Sequence, residues 1–100
     1  MKKLVRDRIP DIIAASGRKC ETRILSDSEY IRALNDKLDE ELAEFHEAQN
    51  LEELADLTEV IRALSSALGF SPEQLEELRR EKAENRGGFE QKIFLEKIIG

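Results

Sequence analysis

The stretch Lys37–Glu59, KLDEELAEFHEAQNLEELADLTE, carries nine acidic residues and no Lys or Arg after Lys37. They are Asp39, Glu40, Glu41, Glu44, Glu47, Glu52, Glu53, Asp56 and Glu59. Like charges three or four residues apart on a helix repel by about 0.2–0.5 kcal/mol per pair, so so dense a run calls for a cation among the carboxylates. The same stretch decides the fold, because it spans the end of one amphipathic helix, a two-residue break and the start of another.

On the upstream side, Ser26 followed by Glu29 is a capping-box signature, and Ile31, Leu34, Leu38, Leu42 and Phe45 then recur every three or four residues. This predicts a helix over about 27–48. Gln49 and Asn50 interrupt it; Asn50 with Glu53 is a second N-cap signal, and Leu54, Leu57, Ile61, Leu64 and Leu68 carry a second helix to Gly69. Two helices joined by so short a link form an antiparallel hairpin packed through its apolar stripes.

The hairpin makes the acidic residues a geometric question. At about 100° per residue, Glu41 lies about 60° to one side of a stripe centred on Leu38, and Glu44 about 60° further round. On the second helix, measured from Ile61, Glu53 lies about 80° and Asp56 about 140° off in the same rotational sense, which places all four on one flank of the pair. Counted outward from Gln49, Glu44 and Glu53 are five and four residues away, and Glu41 and Asp56 eight and seven, so the pairs are level. Four carboxylates with no Cys or His among them suit Mg²⁺, or Mn²⁺, rather than zinc. His46 points elsewhere and is expected at the surface. Either acidic motif alone would read as a solvated helix face, and Glu53 alone as a cap partner of Asn50. Their convergence across a short turn, without opposite charge, favours a metal site. Asp39, Glu47, Glu52 and Glu59 are expected to face solvent, with Glu40 between the two groups.

Outward from the hairpin, Ser71 and Pro72 start a third long element that carries Leu75 and Leu78 and stops at Gly87 and Gly88. Toward the beginning of the chain, Pro10 starts a short helix that Gly17 ends. Residues 19–25, KCETRIL, alternate apolar and polar and predict a short extended segment, with which the apolar residues 89–100 can pair. The expected fold is therefore all-α, an antiparallel hairpin plus additional helices and a minor two-stranded extended pairing, in one domain over residues 1–100.

The chain has 100 residues, 38% charged and 40% hydrophobic, with a formal net charge of −6. That sign opposes binding to nucleic acid or to an anionic membrane surface, but not to a small anion held through a metal. No run approaches the ~18 apolar residues of a membrane span and the start, MKKLVRDRIP, has no apolar core of a leader, so a cytoplasmic address is expected. Cys20 is the single cysteine and is expected as a small buried hydrophobe. Lys82 and Arg86 lie four residues apart before the Gly87–Gly88 pair, and Lys3, Arg6 and Arg8 cluster near the start. Each set alone fits helix capping or surface pairing. Around a metal site, the same cations suit a polyphosphate. Leu51, Leu64 and Leu68 exceed what one hairpin can cover, so a homodimer or homotetramer is expected.

These residues resemble the all-α nucleoside triphosphate pyrophosphohydrolase superfamily, which includes MazG and phosphoribosyl-ATP pyrophosphohydrolase. The family pattern, EExxE on one helix and ExxD on the next, is matched by Glu40, Glu41 and Glu44 and by Glu53 and Asp56. KLVRDRIPDII and KAENRGGF resemble the small single-domain members, so the likeness reaches from residue 3 to residue 89. The resemblance implies a MazG-like helical fold, Mg²⁺ dependence and hydrolysis of a nucleotide to a monophosphate and pyrophosphate by a dimer or tetramer. Only eight residues separate Glu44 from Glu53, fewer than in many MazG proteins, so contacts from a longer inter-helix loop do not carry over. On this reading Glu41, Glu44, Glu53 and Asp56 hold the metal. Glu40 or Glu44 is the general base, and Arg6, Lys82 and Arg86 bind the substrate phosphates. Two alternatives stand beside it: a specific phosphoribosyl-ATP pyrophosphohydrolase, and a non-enzymatic acidic helical module.

Overall fold

A computed structural model describes residues 2–100. The protein is all-α, and the described residues form four helices in chain order: α1 (Ile9–Ala15), α2 (Asp27–Ala48), α3 (Leu51–Ala67) and α4 (Pro72–Arg86). The predicted boundaries hold because each has a local cause. Ser26 and Glu29 form a reciprocal capping box, with the Ser26 hydroxyl accepting from the Glu29 amide and the Glu29 carboxylate accepting from the Ser26 amide. Ser71 and Gln74 do the same for α4. Arg23 adds a 3.0 Å ion pair to Glu29, and this guanidinium, then the Ser26 amide and hydroxyl, hold the Glu29 carboxyl down at about 2. Replacing Ser26 by Ala leaves the first-turn amide of Glu29 without its acceptor. The expected result is a loss of about 1 kcal/mol, read as a lower urea midpoint with unchanged slope.

Between α2 and α3 the chain turns on Gln49 and Asn50. Gln49 takes the left-handed conformation (φ 51°, ψ 43°) as it closes α2, and Asn50 is extended and accepts the Glu53 amide at 2.9 Å. The hairpin that results has Leu34 of α2 and Val60 of α3 at its centre; among the described residues these are the two buried apolar ones, 3% and 8% exposed.

Here the structure departs from the simple stripe. Val60, not Ile61, faces α2, and Ile61, Leu54 and Leu68 stand 44–58% exposed. Turning the helix this way brings Glu53 and Asp56 toward α2 on the same side as Val60, since each lies within about 40° of Val60 around the axis.

The extended pairing is not formed. Among the described residues there is no strand, and residues 19–25 and 92–100 have no regular structure. Alternation over so few residues lacks the cross-strand partners and the buried face that would hold a ladder. For the same reason Cys20 is exposed rather than buried, because no sheet or helix covers its segment. No helix among the described residues is long and apolar enough to cross a membrane.

Candidate metal centre

The carboxylates expected on one flank do meet. Glu41, Glu53 and Asp56 each offer an oxygen within 4.8 Å of the others, and so do Glu40, Glu41 and Glu44, so Glu41 belongs to both sets. Glu44 lies against both Glu41 and Glu53 and links the two sets across the helix interface. The local causes are plain. Glu40 and Glu41 lie four and three residues before Glu44 on one side of α2, and Glu53 and Asp56 are three apart on α3. Glu53 is also the N3 residue of α3, yet its side chain does not return to cap Asn50 as Glu29 and Gln74 do in their helices. It is turned into the cluster instead. Asp39, Glu47, Glu52 and Glu59 are exposed, and so is His46, all as expected.

Two cations reach the cluster within the chain. Lys37 Nζ lies 3.3 Å from Glu41 and 3.6 Å from Glu40, and Arg6 Nη2 lies 2.7 Å from Asp56. Opposite charge is therefore present, against the reading of the stretch as free of it. Lys37 is supplied by the preceding turn of α2, and Arg6 comes from 50 residues away. The segment before α1 lies over the hairpin and forms one wall of an open cavity of about 490 Å³, whose lining includes Lys3, Arg6, Tyr30, Lys37, Glu41 and Asp56. The three buried residues among those described, Leu34, Glu41 and Val60, also line it.

These two cations do not satisfy the cluster. Glu41 is 6% exposed, and its Oε2 and Glu53 Oε2 are buried without a hydrogen-bond partner. A buried carboxylate oxygen with no donor is costly unless the group is protonated or a cation is bound. Burial is the first cause that raises the Glu41 carboxyl, followed by Glu44, while Lys37 works the other way. Burial likewise leads in raising Glu53, followed by the charges of Asp56 and Glu41. The cluster of Glu40, Glu41, Glu44, Glu53 and Asp56 can hold a metal ion: the donors are all hard oxygens, and two of them lack any other partner.

A pH dependence follows for the metal-free protein. Glu41 and Glu53 bind protons more tightly folded than unfolded, so stability falls as pH rises above the ordinary value of 4.5 through the raised ones. Glu29, held at about 2, acts oppositely: its contribution is present above 4.5 and is lost as pH falls toward 2. Thermal melts in chelator are expected to show a rise in Tm as pH drops from 7 toward 5, then a fall below 4.5. A Tm that decreases steadily from pH 7 downward would contradict the strain assigned to Glu41 and Glu53.

Lys82 and Arg86 are exposed on α4 and do not line the cavity, and no ion pair joins them to the carboxylates among the described residues. Two features were missed from sequence. Lys37 was read only as the boundary of the acidic run, although its spacing of three and four from Glu40 and Glu41 was a signal. Val60 was passed over for Ile61, although it lies four and seven residues from Asp56 and Glu53, on the face those acids must share.

Fold and site together define an all-α protein with a carboxylate cluster built across a helical hairpin. A protein of Mycolicibacterium smegmatis (strain ATCC 700084 / mc(2)155), itself described only as uncharacterized, is 60% identical over 48 residues, 48% of this chain. The chain thus spans about half of that relative, the match covering 49% of it. No family model and no solved structure matches.

Proposed function

We propose that the protein is a cytoplasmic, Mg²⁺-dependent nucleotide pyrophosphohydrolase that cleaves a nucleoside triphosphate or related nucleotide to a monophosphate and pyrophosphate, in a house-cleaning role. The observation that carries this reading is the position of Glu41. It is buried, shared between a carboxylate set on α2 and one spanning α2 and α3, and left with an unpartnered oxygen. Glu41, Glu44, Glu53 and Asp56 would hold the ion. Bound there, Mg²⁺ neutralises phosphate charge and makes a water more acidic. The chain's own residues supply the rest. Glu40 or Glu44 accepts the proton of the attacking water at a carboxylate oxygen as the phosphoric anhydride bond breaks. Arg6, already at the cluster through Asp56, stabilises negative charge on the phosphates. The cavity beside the cluster, about 490 Å³, is within the range of small-ligand sites.

The test is pyrophosphate release from a panel of ordinary and damaged nucleoside triphosphates and phosphoribosyl-ATP, with and without Mg²⁺. Release that needs Mg²⁺ is expected from at least one of them. Release from phosphoribosyl-ATP alone would point to the histidine-pathway reaction. No release from any, with Mg²⁺ bound, would leave an acidic binding module.

A further inference from the structure

Residues 89–100 and one flank of the hairpin are two apolar surfaces that lack a partner within the chain. In the segment after α4, Phe89, Ile93, Phe94, Leu95, Ile98 and Ile99 are 71–97% exposed. On the hairpin, Leu42 of α2, Leu54 and Ile61 of α3, and Leu68, which caps α3, are 42–58% exposed. Measured from Leu34 and Val60, these four lie about 80–120° round in one rotational sense, whereas Glu40, Glu44 and Asp56 lie in the other. The hairpin thus has a carboxylate flank and an apolar flank, and the rotation that builds the first strips cover from the second.

The dimensions show that the chain does not close on itself. Its radius of gyration is 18.0 Å against about 13 Å for a folded domain of this length. Its longest extent is 64 Å, while α2, the longest helix, accounts for about 33 Å. Every residue from Glu84 to Gly100 is exposed. Gly87, at φ 81° and ψ 171°, sets the departure of the segment from α4 in a conformation open essentially only to glycine. The accessible surface is 9328 Å², against about 5,800 Å² for a folded monomer of 11.5 kDa. The excess, about 3,500 Å² per chain, is more than an obligate homodimer needs from each copy, about 1,000–2,500 Å².

We infer that residues 89–100 of one copy dock along the apolar flank formed by Leu42, Leu54, Ile61 and Leu68 of a second copy, with the exchange made reciprocally. A two-fold axis brings each surface onto its complement twice, so one kind of contact covers both. Reach is sufficient: twelve residues span up to about 40 Å extended, and α3 is about 25 Å long. The carboxylate flank stays open in such a dimer, and the inference does not depend on what that flank does.

The test uses the 100-residue chain. Phe94→p-benzoylphenylalanine is prepared unlabelled and in ¹⁵N form, the two are co-refolded in equal amounts, and photo-crosslinked peptides are read by mass spectrometry. Crosslinks from position 94 to residues 42–68 are expected, about half of them joining a light chain to a heavy one. Crosslinks joining only like-labelled chains would show the segment folding back on its own hairpin and overturn the exchange, as would crosslinks outside that flank. In parallel, sedimentation of the unsubstituted chain should give a dimer at micromolar concentration, and a monomer overturns the inference. The full-length double variant Phe94→Asp/Ile98→Asp should retain helical circular dichroism and raise the dimer dissociation constant at least about 100-fold; an unchanged constant sinks the assignment of this segment. Should that variant unfold, the crosslinks decide.

Discussion

Glu41→Gln is expected to remove metal binding and to lower any metal-dependent hydrolysis by about 100-fold or more, while leaving the metal-free protein as stable as before or more so. The two halves of this expectation have one cause. Glu41 joins both carboxylate sets and is the most buried of the five acids, so its loss removes a donor that each set shares. Loss of groups that merely orient ligands costs 10–100-fold, and a ligand itself stands at or beyond that range. Without metal, however, the carboxylate is a buried charge with one oxygen unpartnered, opposed by Glu44 and only partly compensated by Lys37. The isosteric amide removes that burden and keeps an oxygen for Lys37. Titration calorimetry with Mg²⁺ and Mn²⁺ reads the first half, and melts in chelator read the second. A variant that melts well below the parent in chelator, or that binds Mg²⁺ as before, would show that Glu41 is structural.

Leu34→Ala is expected to have the largest effect on stability of any single truncation on the hairpin, about 2–5 kcal/mol, lowering Tm by roughly 8–40 °C. Leu34 is the most buried of the described residues and has one buried apolar counterpart among them, Val60. With so small a core there is little neighbouring side chain to relax into the hole. The same truncation at Leu42 or Ile61, each more than 40% exposed within one chain, should cost less at high dilution. A loss at Leu34 no larger than that at Ile61 in a dilute sample would mean that the hairpin centre is misplaced.

The acidic cluster was legible because membership depends on local spacing and on a turn of known length. Glu40, Glu41 and Glu44 share a face of α2 whatever surrounds them, and Gln49–Asn50 sets the level at which Glu53 and Asp56 arrive opposite. The partners of those acids were less legible. Arg6 pairs with Asp56 only because the segment before α1 crosses the hairpin, and no periodicity in the sequence reports that crossing.

What the residues determined by themselves were the four helices of the described residues, their caps and breaks, and the convergence of Glu41, Glu44, Glu53 and Asp56 across one short turn. Each of these follows from interactions spanning four residues or fewer, such as capping boxes, helical periodicity and a left-handed C-cap. Tertiary structure decided the rotation of α3, which turns Val60 inward in place of Ile61, and the depth at which Glu41 is buried. It also decided that the alternating segment 19–25 finds no strand to pair with. A helix carries its own period but not its own azimuth. The azimuth is set by whichever face of the neighbouring helix it meets, and here that face presents both Leu34 and the carboxylates.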